Sequence, residues 1–386
     1  MKRKVLSAIL SVAMVATMLV GCGNSASTTE APAATEEAPA EEAAPADDAA
    51  ATEEAAAPAG EGGLVGVAMP TKDLQRWNQD GSNMEAQLKE AGYEVDLQYA
   101  SNDIQTQVSQ IENMISNGCK LLVIASIDGD SLGTVLAQAK EAGIPVIAYD
   151  RLIMNSDAVS YYATFDNYKV GTVQGEYIRD QLDLDNADGP FNIELITGDP
   201  GDNNARFFFG GAMDVLQPYI DEGKLVVKSG QVSFEECATA NWATEAAQSR
   251  FDAIIASNYS DGTTLDAVLA SNDSTALGVA NSLAANYTGE YPILTGQDCD
   301  IASVKNIIAG KQSMSIFKDT RDLATQVVKM VDAIMKGGEA PVNDTESYDN
   351  GTGIIPSYLC DPVFADVNNY KELLIDSGYY TEADLQ

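Results

Sequence analysis

From Leu64 onward the chain reads as an α/β protein built from two similar doubly wound parallel-sheet lobes. Three observations predict this. Short apolar runs alternate with amphipathic segments of helical spacing, and that rhythm packs as right-handed strand–helix–strand units on a parallel sheet. The rhythm restarts after Phe165, which implies a second sheet. The 386 residues also exceed what one hydrophobic core usually holds, so two lobes are the natural division.

The elements follow in order. Leu64–Met69 is a strand, and the helical spacing of Met84, Leu88 and Ala91 is closed by Gly92. Val95–Tyr99 is a strand. Val108, Ile111, Met114 and Ile115 share one helical face, closed by Gly118. Leu121–Ala125 is a strand, Leu132–Ala142 a helix, and Pro145–Tyr149 and Tyr161–Phe165 are strands. The second set begins with a helix from Tyr168 to Leu182 and a strand at Phe191–Thr197. Helices at Phe207–Tyr219, Ala243–Ala256, Thr275–Asn286 and Ile301–Ala309 alternate with strands at Lys224–Val227, Leu265–Ala270, Tyr291–Thr295 and Ser313–Phe317. A long amphipathic helix follows at Thr320–Met335.

The segment before Leu64 has another character. Lys2, Arg3 and Lys4 precede an apolar run, Val5 to Val20, that is short for a membrane span. Leu19-Val20-Gly21-Cys22 then matches the cleavage site of a bacterial lipoprotein signal. Residues 1–21 are therefore expected to be removed, and Cys22 to carry lipid that anchors the chain to the outer face of the cell membrane. The alternative is an ordinary secretory signal with an incidental cysteine. Residues 22–63 form an acidic linker: Gly23 to Gly63 has ten acidic residues, no Lys or Arg, and no Val, Ile, Leu or aromatic side chain. With nothing to bury it cannot offset its ordering entropy, so it is expected to be a disordered spacer.

Composition narrows the chemistry. The formal charge is −36, which repels phosphate backbones and argues against nucleic acid as a partner. There is no histidine, which removes His-based nucleophile systems and His-based metal sites. Cys119, Cys237, Cys299 and Cys360 show no CxxC spacing, so a zinc site is not expected and buried free thiols are the preferred reading. No metal, cofactor or catalytic residue is assigned.

In open α/β sheets, ligands bind beyond the carboxyl ends of the strands. The residues there are Gln75-Arg76-Trp77, Ser126-Ile127-Asp128, Asp150-Arg151, Asp202-Asn203-Asn204, Ser271-Asn272-Asp273, Gly296-Gln297-Asp298 and Lys318. Carboxylates, amides, guanidinium groups and an amine suit a neutral polyhydroxylated ligand, whose hydroxyls both donate and accept. Trp77 and Trp242 are the only tryptophans; Trp77 stands in the first strand-end loop and Trp242 in the loop before a helix of the second lobe. A flat indole covers the C–H face of a pyranose well, so one from each lobe would clamp the ring. The competing reading is that each indole fills a core, although Arg76, Asn78 and Gln79 make Trp77 poorly suited to one. Asp298 and Asp300 also have the look of a glycosidase pair, but loop acidity in a very acidic chain is preferred. No Walker A or GxGxxG pattern occurs.

The stretches QRWNQDG (75–81), QVSQIENMI (107–115), AYDRLI (148–153), FDNYKVG (165–171), GDNNA (201–205), ASND (270–273), TGQD (295–298), IFKDTRDLA (316–324) and NDTESYDNG (343–351) run in order across the folded region. Through them the chain resembles the type I periplasmic sugar-binding proteins of ABC importers, in the branch of the xylose-binding and multiple-monosaccharide-binding proteins. The resemblance implies Arg76, Asp150, Arg151, Asp202, Asn204, Asn272, Asp298 and Lys318 as hydrogen-bonding groups, and Trp77 and Trp242 as the stacking pair. It leaves open which of Asn272 and Asp273 touches sugar. It implies three crossings between lobes, near Asp166, Lys318 and Asp349. Residues 64–166 and 319–348 would then form the N-terminal lobe, and 167–318 and 349–386 the C-terminal lobe. A monomeric receptor is expected that captures aldoses such as xylose, glucose, galactose or arabinose and passes them to ABC permease subunits. A co-receptor signalling to a chemoreceptor or sensor kinase is the alternative, and a secreted glycoside hydrolase is the reading from another class. A DNA-binding repressor of similar fold is set aside by the export signal and the missing basic helix-turn-helix.

Overall fold

The computed structural model describes residues 62–386. The expected signal, the Cys22 expected to carry lipid and nearly all of the acidic segment 22–63 lie outside the described residues. Six strands form the first sheet: β1 (Leu64–Met69), β2 (Glu94–Tyr99), β3 (Leu121–Ile124), β4 (Val146–Tyr149), β5 (Val159–Phe165) and, much later in the chain, β11 (Ser357–Cys360). Their spatial order is β11-β5-β4-β3-β1-β2, and every pairing is parallel. The strands β3 and β4 are continuous apolar runs because both faces are covered.

Side-chain alternation on β1 divides the two cores. Val65, Val67 and Met69 pack with Met84 and Leu88 of α1 (Gln75–Glu90) and with Leu323, Val327 and Met330 of α10 (Thr320–Met335). Ala68 faces the other way with Leu122 and Ile124. That face meets Ile111 and Met114 of α2 (Ile104–Ser116) and Val135, Leu136 and Ala139 of α3 (Gly133–Glu141).

The second sheet has the order β7-β6-β8-β9, again parallel, from β6 (Phe191–Ile196), β7 (Leu225–Val227), β8 (Ala267–Ala270) and β9 (Ile293–Leu294). One face carries α4 (Asn167–Gln181) and α5 (Asn203–Asp221), and the other α7 (Thr244–Asn258) and α8 (Asp273–Asn286). A short helix α6 (Phe234–Cys237) precedes a single 3-10 turn at Ala240–Trp242, and α9 (Ile301–Ile308) leads to β10 (Met314–Phe317). That strand pairs antiparallel with β12 (Val363–Asp366), and a π-helical turn follows at Lys371–Asp376.

Sequence reading missed β11, β12, α6 and both unusual turns. It also placed residues 349–386 together in the second lobe. The pairing of Ser357–Cys360 with Tyr162–Phe165 puts β11 in the first sheet instead. The chain then passes to the second lobe between Cys360 and Val363, not near Asp349. Cys119, Cys237, Cys299 and Cys360 are all free. Among the described residues no helix is long and apolar enough to cross a membrane.

Helices α4 and α5 approach through glycine. A Cβ built on Gly171 would lie 1.9 Å from the Phe208 carbonyl oxygen, so any side chain forces the two backbones apart. Gly171→Ala is expected to cost about 1–3 kcal/mol through overpacking, read as a Tm lower by several degrees in thermal unfolding. An unchanged Tm would show that the two helices are not held at this spacing.

Candidate functional site

All ten residues singled out from the sequence line one cavity. Nine of them come from the segments that follow strands of the two lobes, and Trp242 from the 3-10 turn after α6. The first lobe contributes Arg76 and Trp77 from the opening turn of α1, with Asp150 and Arg151 after β4. The other lobe adds Asp202 and Asn204 at the start of α5, Trp242 on the 3-10 turn, Asn272 after β8 and Asp298 after β9. Lys318 follows β10, where the chain returns to the first lobe.

Local backbone sets several of these side chains. Asp202 and Asn272 are helix N-caps: Asp202 Oδ1 accepts from the Asn204 N–H at 3.0 Å, and Asn272 Oδ1 from the Thr275 N–H at 3.0 Å. Asp150 (φ 59°), Trp242 (φ 55°) and Asp298 (φ 99°) all lie in the left-handed region, at a cost of about 1–3 kcal/mol each. Three strained non-glycine residues on one cavity wall indicate that side-chain placement outweighed backbone comfort there.

Charge pairing dominates the site. Arg76 donates from Nε to Asp80 Oδ2 at 2.8 Å and from Nη2 to Asp150 Oδ1 at 3.0 Å, and its Nη1 lies 3.5 Å from Asp298 Oδ1. Lys318 Nζ lies 3.1 Å from Asp298 Oδ1 and 3.9 Å from Asp150 Oδ1. Arg151 Nε stands 3.0 Å from Asp202 Oδ2, and the Trp242 indole N–H donates to that same oxygen at 3.2 Å. Burial pushes the Asp150 carboxyl up, but Arg76, Lys318 and Arg151 outweigh it and hold the group below its ordinary range. Asp202 goes the other way: burial raises it against the pull of Arg151. Behind the wall, Asp80 also accepts from the Tyr149 hydroxyl, which fixes the carboxylate that positions Arg76. Asn204 donates to the Asp150 carbonyl at 2.6 Å and accepts from the Tyr162 hydroxyl at 3.0 Å, tying the start of α5 to the first lobe.

The two indoles differ from expectation in detail. Trp77 sits on α1, not in a loop, and is 1% exposed. It belongs to the first core while also lining the cavity, so the two readings of it are not exclusive. The guanidinium groups of Arg76 and Arg151 lie 4.4 and 5.0 Å from its ring centroid. Trp242 packs edge-on to Phe208 at 6.3 Å and has Gly198 beneath its ring, where a Cβ would fall 1.9 Å away.

Five lining residues lie outside the ten selected: Leu74, Phe208 and Ser274, which the sequence reading did not name, and Gln297 and Asp300, which it named but did not select. Phe208 stands one helical turn beyond Asn204, a spacing that was readable. Asp300, set aside as loop acidity, stands on the cavity wall. Of the adjacent pair left open, Asn272 lines the cavity, whereas Asp273 turns to Gln312 at 3.0 Å and Ser315 at 2.8 Å. Trp77 Nε1, Gln297 Oε1 and Asp300 Oδ1 are buried without hydrogen-bond partners. Among the described residues no cluster of His, Cys, Asp or Glu is arranged to hold a metal ion.

Residues 65–339 match the family model of the periplasmic binding protein domain. The chain is 52% identical to the multiple sugar-binding periplasmic protein of Azospirillum brasilense, over 83% of this chain and 91% of the relative. It is likewise 52% identical to the multiple sugar-binding periplasmic receptor of Rhizobium radiobacter, over 85% and 94%, and 36% identical to the D-xylose-binding periplasmic protein of Escherichia coli, over 83% and 92%. Among solved structures, an ABC transporter solute-binding protein from Clostridium phytofermentans with bound β-D-glucose is 82% identical. It covers 84% of this chain and all of its own, with a TM-score of 0.83. A carbohydrate-transporter solute-binding protein from Chloroflexus aurantiacus in complex with D-glucose is 35% identical, covering 83% and 98% with a TM-score of 0.76. With its two parallel-sheet lobes and the polar cavity between them, this chain belongs to the periplasmic binding protein family, in company with its sugar-binding members.

Proposed function

We propose that the protein captures a neutral monosaccharide, an aldose such as glucose, xylose, galactose or arabinose, between its lobes and delivers it to an ABC sugar permease. The observation that carries this reading is the charge balance of the cavity. Arg76, Arg151 and Lys318 are each already paired with Asp150, Asp202 or Asp298, so no cation is left for an anionic ligand to neutralise. What remains for it are hydrogen bonds along its rim and indole surface from both lobes. The named ligands of the relatives point the same way.

In this reading Trp77 and Trp242 cover the ring faces, while Arg76, Asp150, Arg151, Asp202, Asn204, Asn272, Asp298 and Lys318 meet its hydroxyls. Epimers that strand a buried group lose affinity. Capture proceeds by lobe closure about the crossing segments, and the closed form docks on the permease as a monomer. A lipid on Cys22 holds the receptor on the outer membrane face. One relative is named a receptor, which supports a second partner for the same closed form, a membrane sensor. Binding, not hydrolysis, is the reading favoured for Asp298, since its carboxylate is committed to Lys318 and Arg76.

The direct test is a panel of these aldoses against the purified protein. At 100 times its Kd a true ligand adds about 2.7 kcal/mol, so the Tm is expected to rise by several degrees and tryptophan emission to change. A panel in which no aldose moves either signal would end the proposal. Trp242→Ala is expected to weaken the best ligand about 30-fold or more, or roughly 2 kcal/mol. Gly198→Ala, which forces the Trp242 ring to move, is expected to weaken it about tenfold with the lobes still folded. Wild-type affinity in both variants would remove Trp242 from the site.

A further inference from the structure

Resting on that sugar-binding reading, we propose that Asp300 is a further ligand-binding residue, accepting a hydrogen bond from a sugar hydroxyl on Oδ1, and that it makes sugar affinity depend on pH. The loop Gln297–Asp300 leads into α9, and its residues Asp298 and Cys299 are both left-handed, with φ of 99° and 53°. The loop puts both Asp298 and Asp300 on the cavity wall. The two carboxylates are treated differently there. Asp298 pairs with Lys318 and Arg76. Asp300 has no cation within ion-pair distance among the described residues, whereas Asp150, Asp202 and Asp298 each do.

The usual local reason for an aspartate at this position also fails. Asp300 is the N-cap of α9, yet its side chain makes no capping hydrogen bond. Asp103, Asp166, Asp202, Asn272 and Asp319 stand at the same position of other helices, and each accepts a backbone N–H. The Asp300 backbone is firmly placed nonetheless. Its N–H donates to Asp273 Oδ2 at 2.8 Å, the Ile301 N–H donates to Gln75 Oε1 at 3.2 Å, and the Tyr380 hydroxyl donates to the Cys299 carbonyl at 2.9 Å. A buried acceptor with neither a cap nor an ion to serve is costly. A donor brought by the ligand would meet it.

The groups facing this carboxyl are Asp298 and Cys299 on its own loop, Asp273 on α8, Arg76 on α1, Lys318 after β10 and Tyr380 near the C-terminus. Burial first, then Asp298, pushes the Asp300 carboxyl up to about 7 against the pull of Arg76 and Lys318. A hydroxyl donating to Oδ1 favours the ionised form, so a proton and the sugar compete. Affinity therefore rises as pH rises through about 7.

The test is calorimetric titration of wild type, Asp300→Asn and Asp300→Ala with D-glucose from about pH 5.5 to 8.5. Wild-type Kd is expected to be about tenfold tighter at the upper end, a charge-assisted bond being roughly twice as strong as a neutral one. Asp300→Asn keeps the shape and a neutral acceptor, and its Kd is expected to stay flat near the wild-type value at low pH. Asp300→Ala should be at least about tenfold weaker than wild type at high pH. With monodeoxyglucoses, the one lacking the partner hydroxyl should be penalised in wild type and not in Asp300→Ala. An Asp300→Asn variant that keeps the wild-type pH slope overturns the proposal, and this isosteric variant decides the matter if alanine unfolds the loop. Alanine binding as tightly as wild type at high pH does the same. A wild-type protein that binds no monosaccharide at any pH overturns the sugar reading beneath it as well.

Discussion

The site depends on one buried guanidinium. Arg76 holds Asp80 and Asp150 of its own lobe and approaches Asp298 of the other. Almost no solvent reaches any of these groups. Buried ion pairs are a weak source of net stability, because desolvation consumes most of the Coulomb gain. Their effect here is geometric. A cation that must touch carboxylates from both lobes defines how those lobes meet, and the same carboxylates form the wall of the cavity. Lys318 reinforces the arrangement from a crossing segment, so the two lobes and one of their connections converge on Asp298 and Asp150.

Around that centre, residues serve the fold and the cavity at once. Asp202 caps α5, pairs with Arg151 and takes the Trp242 indole N–H. Asn272 caps α8 and lines the cavity. Trp77 closes the first core and offers its remaining surface to the site. Such double use ties the wall together: Asp202 is held by Trp242 of its own lobe and by Arg151 of the other. Hydrogen bonds also join the lobes at the rim. They include the Gly129 N–H to the Gly201 carbonyl at 3.1 Å and the Gln75 side-chain amide to the Tyr380 hydroxyl at 2.7 Å.

The central strands were readable because a parallel sheet covered on both faces demands uninterrupted apolar runs, as in LLVI and VIAY. Nine of the ten lining residues, all but Trp242, were readable for a related reason: parallel strands present their carboxyl ends on one edge, so residues just past each run converge whatever their separation in sequence. β11 was not readable. Its sequence SYLC is short and half-polar, and it becomes a strand only because Ser357–Cys360 finds the open edge of β5 nearly 200 positions earlier. Trp77 was misread because its polar neighbours suggested a loop, while the helix carries the indole inward with the buried Arg76 guanidinium packed against its ring. Asp300 was hidden by the two left-handed residues before it, which no local pattern in GQDCD announces.

The net charge of the chain then ceases to be a puzzle. A formal charge of −36 would repel anions from a distance, yet it does not set the character of the cavity. Inside, Arg76, Arg151 and Lys318 meet Asp150, Asp202 and Asp298 one for one. Short-range pairing leaves the wall nearly neutral while the surface stays strongly acidic. A neutral sugar can approach through such a field without a Coulomb barrier and find its hydrogen-bond partners pre-oriented. Asp300 is the departure from that balance, a carboxyl with no cation of its own. A balanced wall discriminates by the positions of hydroxyls, and an unbalanced acceptor adds sensitivity to protons, so one loop carries both properties.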